Sequence, residues 1–282
     1  MPAMQPESRG DNEPGRLTEA EPCRMAEGGS GRLIAIASGK GGVGKTWFAI
    51  TLAHALSRTG ARVLLFDGDL GLANVDVQLG LTPELDLSSV LSGRATMAEA
   101  ILRHPQGGFD ILAGRSGSGA LSAMGDALLE RLLHLLREQS QCYDHVILDL
   151  GAGVERPLRR MVAAADILLA VATEEPTSLT DAYALLKLTW ADTPAGDTRV
   201  VVNQAGTRSA GERTYATLRR ACGTFLHQEP PLAGVVRRDE KVRDAIRRQS
   251  LLLVRHPSCP AGSDVEAIAA SLVAGLERGR RS

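Results

Sequence analysis

The chain has 282 residues, of which 44% are apolar and 23% charged, enough apolar material for a core and too much for wholesale disorder. Its 32 basic and 33 acidic residues leave a formal net charge of −1, which argues against a protein whose main work is coating nucleic acid. No apolar run approaches the ~18 residues of a membrane-spanning helix, and the four cysteines (Cys23, Cys142, Cys222, Cys259) have no CxxC spacing, suggesting neither a zinc site nor a disulfide framework.

Residues 1–31 are rich in Pro, Gly and Glu, lack apolar periodicity and carry no signal-peptide segment, so they are expected to form a disordered tail of a cytoplasmic, reduced protein. From 32 to 282 the chain reads as one domain. Apolar runs at Leu33–Ala37, Val63–Phe66, Phe109–Leu112, His145–Leu150, Ile167–Ala172, Arg199–Asn203 and Leu232–Val236 are mostly continuous, as in strands buried on both faces. Helical patterns fill the intervals at 45–58, 124–138, 154–165, 178–190, 209–222, 239–249 and 264–277. In the last, Val265, Ile268, Ala269, Leu272, Val273 and Leu276 form one apolar stripe, without aromatics and with little basic flanking, which fits core packing better than membrane binding. Alternating strand and helix predicts an α/β fold: a doubly wound, mostly parallel sheet flanked by helices.

The first strand runs into Ser38-Gly39-Lys40-Gly41-Gly42-Val43-Gly44-Lys45-Thr46 and then a helix. This is G-x-x-x-x-G-K-T in the strand–loop–helix context that P-loop nucleotide binding requires. Glycines let successive backbone N–H groups curl around a polyphosphate, and the helix N-terminus adds fractional positive charge. Lys45 is placed for the β- and γ-phosphates and the Thr46 hydroxyl for Mg²⁺, with Trp47 next in the nucleotide set. The chain has only four lysines (Lys40, Lys45, Lys187, Lys241), and two lie in this loop. In an arginine-rich chain, a retained lysine marks a site that needs a compact ammonium.

Further carboxylates end two later strands. Phe66-Asp67-Gly68-Asp69 places acids where a metal or an attacking water would be held. Val146-Ile147-Leu148-Asp149 has the Walker B form, a buried strand ending in an acid near magnesium. Gly151-Ala152-Gly153 follows as a flexible loop, and Asn203 ends the strand Arg199–Asn203 with an amide able to satisfy both donor and acceptor on adenine's edge.

Lys40-Gly41-Gly42-Val43-Gly44-Lys45-Thr46 resembles the deviant Walker A P-loop of the MinD/ParA group of ATPases. That resemblance implies a MinD-like P-loop NTPase fold, ATP and Mg²⁺ as cofactors, and ATP hydrolysis that is slow and partner-stimulated. It implies that Lys40 reaches the other subunit's phosphates across an ATP-dependent homodimer, that Asp69 positions the attacking water, that Asp67 supports Mg²⁺ or Asp69, and that Asn203 reads the base. Two departures are Leu150, where relatives usually carry a hydroxyl, and Val236-Arg237-Arg238-Asp239-Glu240, which lacks the usual proline of the adenine loop.

Longer blocks are similar to the flagellar number regulators called FlhG or FleN. They are Asp69-Leu70-Gly71-Leu72-Ala73-Asn74-Val75-Asp76, Glu175-Pro176-Thr177-Ser178-Leu179-Thr180-Asp181-Ala182-Tyr183-Ala184-Leu185, and Val242-Arg243-Asp244-Ala245-Ile246 with the nearby Gln249. The implied function is a dimerisation switch regulating flagellar number and placement, through an SRP-type GTPase, a transcription activator or a switch-ring protein, at the cell pole. Nothing in 1–31 matches the GTPase-stimulating motif of some relatives, and recruitment to membrane is not expected. Two alternatives stand beside it: a ParA-like DNA-associated positioning ATPase, drawing on Arg237, Arg238, Lys241, Arg243, Arg247 and Arg248, or an ATP-binding interaction module with little hydrolysis. Acids interspersed in that basic run weigh against nucleic acid.

Overall fold

The computed structural model describes residues 18–20, 31–69, 73–114 and 125–279. In chain order the elements are β1 (Thr18–Glu19), β2 (Arg32–Ser38), α1 (Lys45–Ser57), β3 (Val63–Gly68), α2 (Val75–Leu79), α3 (Leu87–Leu91), α4 (Met97–Ala100), β4 (Ile101–Arg103), β5 (Asp110–Leu112) and α5 (Asp126–Ser140). There follow β6 (His145–Ala152), α6 (Arg156–Ala164), β7 (Ile167–Ala172), α7 (Pro176–Asp192), β8 (Asp197–Ala205), α8 (Arg208–Leu226), β9 (Leu232–Arg237), α9 (Glu240–Arg247), α10 (Leu252–Arg255) and α11 (Pro260–Gly279).

The nine strands form one sheet in the order β1-β4-β5-β3-β6-β2-β7-β8-β9. Every pairing from β5 to β9 is parallel, while β1 and β4 add an antiparallel edge. The expected doubly wound sheet is therefore present. Its strands β3 and β7 are buried along their whole length, which is why their sequences run apolar without alternation. Alternate residues of the same strand feed opposite faces. In β2, Leu33, Ala35 and Ala37 face the core completed by α3 to α8, whereas Ile34 and Ile36 face the core completed by α1, α2, α9, α10 and α11.

Most of the 1–31 stretch lies outside the described residues, as do Leu70, Gly71 and Leu72. Within that stretch the structure shows a correction: Thr18–Glu19 pairs with Leu102 and Arg103 of β4. Two residues borrowing an edge leave no periodicity for a sequence pattern to register. Among the described residues, Cys222 and Cys259 are free and buried.

Parallel pairing gathers the carboxyl ends of β2, β3, β6, β7, β8 and β9 on one rim. The P-loop, both acidic strand ends and Asn203 all leave the sheet there. Because β2 lies between β6 and β7, the loop sits at the middle of that rim.

Candidate functional site

The P-loop leaves β2 at Ser38 and enters α1 at Lys45. Gly42 and Gly44 take positive φ, 79° and 85°, in the left-handed region that side chains resist. Gly44 is also crowded: a Cβ there would stand 2.6 Å from the Trp47 indole nitrogen and 2.8 Å from the Asn203 amide nitrogen. Trp47 thus packs over the loop, edge-on to Phe48, and lines the cavity above it. Gly39 meets the backbone of Asp181 in α7, so a side chain there would collide. The N-cap of α1 has no side-chain cap, and its first turn holds no acid. Its leading N–H groups and the dipole are thereby left to an anion.

Lys45 donates from Nζ to Ser38 Oγ (2.9 Å), which in turn donates to the Lys40 carbonyl (2.6 Å). Burial pulls the Lys45 ammonium below the usual lysine range, with Asp149 and Asp69 opposing that shift. A phosphate would supply the negative charge this buried cation lacks.

Asp149 ends the apolar part of β6 and is 1% exposed. Burial pushes its carboxyl up to about 8, helped by the neighbouring Asp67 and opposed by a hydrogen bond from Thr46 and by Lys45. One of its oxygens, Oδ1, is buried with no hydrogen-bond partner. An orphaned buried carboxylate oxygen beside a threonine hydroxyl suits a hard divalent cation, so the residues fit Mg²⁺.

Asp67, expected to support Mg²⁺ or Asp69, accepts hydrogen bonds from backbone N–H groups, that of Asp69 among them. Its Oδ1 accepts from the Asp69 N–H (3.3 Å), and its Oδ2 accepts from the N–H groups of Asn74 and Val75 (3.0 Å each). Burial still raises its carboxyl to about 6. Asp67 therefore anchors the start of α2 and the segment that carries Asp69. The Asp69 carboxylate faces Gly151, where an added Cβ would lie 3.4 Å away. Leu150, in register with Gly68, turns into the core and away from this rim.

Lys40 is engaged within its own chain. Nζ pairs with Glu175 Oε2 at 2.5 Å and donates to Thr177 Oγ1 at 2.8 Å, both at the start of α7. Ser178 in the same turn accepts from the Thr173 N–H. The Glu175–Asp181 block is thus a dock for the P-loop's first lysine, a tertiary relation no local pattern could show.

Asn203 is fully buried, and part of its amide is engaged where the sequence suggested a free base reader. It donates to the Val43 carbonyl (2.8 Å) and accepts from the Gln204 N–H (2.9 Å), which leaves one donor and one lone pair for a ligand. Gln204, which sequence reasoning missed, adopts φ 56° and donates to the Gly42 carbonyl (3.2 Å). Together the two residues staple β8 to the P-loop. A cavity of about 580 Å³ lies over the loop, lined among others by Asp69, Gln78, Asn203, Arg238, Val242 and Ile246. That size suits a nucleotide. Of the basic run beside it, Arg237 is paired with Asp264 and Arg243 with Glu240.

Residues 34–252 match the family model described as CobQ/CobB/MinD/ParA nucleotide binding domain. The chain is 37% identical over 238 residues to the antiactivator FleN of Pseudomonas aeruginosa, covering 84% of this chain and 85% of that one. It is 30% identical over 254 residues to the flagellum site-determining protein YlxH of Helicobacter pylori, covering 89% and 85%. Among solved structures it resembles the MinD cell division protein of Aquifex aeolicus (25% identity, TM-score 0.70, 86% and 97% covered). It also superposes on the septum site-determining protein MinD of Pyrococcus horikoshii, solved with Mg-ADP (22% identity, TM-score 0.71, 87% and 98% covered).

Proposed function

The chain belongs to the MinD/ParA family of nucleotide-binding ATPases, and from that premise we propose that it is an ATP-dependent dimerisation switch regulating flagellar number and placement. Its cofactors are ATP and Mg²⁺. The observation that carries the reading is the convergence of Lys45, Thr46 and Asp69 on one cavity at the carboxyl rim of the sheet, with Asp149 buried against Thr46 and Lys45 beneath it. The similarity to FleN and YlxH supports the flagellar assignment.

In this reading the backbone N–H groups of 41–46 hold the phosphates and Lys45 neutralises them. Thr46 and Asp149 hold Mg²⁺, which when bound withdraws charge from the phosphate oxygens. Asp69, on the segment anchored by Asp67, orients the attacking water. Lys40 leaves Glu175 and Thr177 to meet the phosphates of a second copy, so that hydrolysis returns the chain to the monomer. The partner is a flagellar regulator. No helix among the described residues is long and apolar enough to cross a membrane.

Light scattering with ADP and with ATP tests the switch, using Asp69→Ala to slow turnover. The expected result is a monomer with ADP and a dimer with ATP. A mass indifferent to nucleotide would overturn the proposal.

A further inference from the structure

The short helix α2 lies between the acidic strand end and the base side of the cavity, and both of its ends are held. At its start, the Asn74 and Val75 N–H groups rest on Asp67. At its end, Gln249 donates from Nε2 to the Val77 carbonyl at 2.9 Å, across 172 positions of sequence. Gly80, the C-cap of α2 at φ 66°, leaves room for this contact; a Cβ there would come within 3.0 Å of Gln249 Oε1.

Gln249 itself has φ 49°, an uncommon conformation for a residue with a side chain, and its N–H donates to the Ile246 carbonyl. The helix before it is tied down at both ends. Asp239 caps α9 at one end, and Asp244 accepts from Arg255 Nε (2.5 Å) and meets His256 Nε2 (2.8 Å) across the turn into α10. On the same helix, Val242, Arg243 and Ile246 line the cavity, as Gln78 does from α2.

We infer that Gln249 is a positioning residue for hydrolysis: by capping α2 from the turn that follows α9, it holds α2 on Asp67, whose other oxygen accepts from the Asp69 N–H, so that Asp69 stays in its working place. The inference rests on the ATPase reading above. The residue touches neither phosphate nor metal, so its effect falls on turnover and leaves affinity alone.

The test compares wild type, Gln249→Ala, Gln249→Lys and Gly80→Ala by steady-state phosphate release and by ADP affinity, with Arg247→Ala as an exposed control on α9. Gln249→Ala and Gly80→Ala are expected to lower kcat about fivefold, as when one aligned hydrogen bond is lost, with ADP affinity unchanged. Gln249→Lys, which keeps a donor for the Val77 carbonyl, is expected to restore most of the turnover. Wild-type kcat in both damaged variants would overturn the inference, as would a parallel loss of ADP affinity or a lysine variant as slow as alanine. A wild-type chain that binds ATP without turning it over would instead remove the hydrolytic reading, and this role with it.

Discussion

Asp67 of β3 and Asp149 of β6 are register partners in adjacent parallel strands, and both are buried. The Asp67 carboxylate helps raise the proton affinity of Asp149, and the two acids have different partners. Asp67 accepts from three backbone N–H groups, whereas Asp149 keeps an orphaned oxygen beside Thr46.

Asp149 should accordingly be the metal-sensitive member. With EDTA, wild type and Asp149→Asn are expected to bind ATP alike. On adding Mg²⁺, wild type should gain about tenfold or more in affinity, and the variant little. Fluorescent-nucleotide titration with and without the metal reads the difference.

Lys40→Ala separates folding from switching. The Lys40–Glu175 pair is partly solvated, so its loss should change monomer stability by less than about 1 kcal/mol. The same substitution is expected to abolish the ATP-dependent rise in mass. Denaturant melts and light scattering on one preparation check both.

Gly44→Ala should do the reverse and damage the fold at the loop. Positive φ and a Cβ pressed against Trp47 and Asn203 combine to cost about 2 kcal/mol or more. Nucleotide binding should be lost as well, because the loop must shift to relieve the collision. Urea titration and nucleotide binding provide the measurements.

His54 supplies a pH dependence remote from the phosphates. Burial, aided by Arg58 and His104, lowers its pKa to about 4 from an ordinary 6.5. The unfolded chain therefore binds a proton that the native chain refuses between about pH 6.5 and 4, so stability falls with acidification across that window. His104, lowered by burial, acts in the same direction. The slope for one such group approaches about 1.4 kcal/mol per pH unit. In His54→Gln, chemical melts at pH 7 and pH 5 should lose that group's share.

Much of this was legible because it is local. The continuous apolar runs marked β3, β6 and β7, and G-x-x-x-x-G-K-T after a strand marked the cradle, since backbone geometry and residue type coincide there. The boundaries of α7 and α11 came out short, because Pro176 and Pro260 open those helices before the apolar stripe begins. The two-residue β1, the three-residue β4 and the five-residue α2 are too brief to show a period. The missed chemistry is all tertiary. Lys40 docks on Glu175, 135 positions away, Asn203 donates to Val43, 160 positions away, and Gln204 donates to Gly42, 162 positions away. Residue type showed that Lys40 and Asn203 matter; only folding showed what each one holds.

With the nucleotide cavity at the carboxyl rim of the sheet, the turns that feed the opposite ends of the strands lie away from it. Gly60, between α1 and β3, faces open space but holds φ 90°, which resists a side chain, whereas the exposed Thr59 beside it does not share that conformation. A fluorophore, an affinity handle or a surface tether introduced at that turn would report on the molecule from behind, leaving the nucleotide cavity and any partner at its mouth untouched.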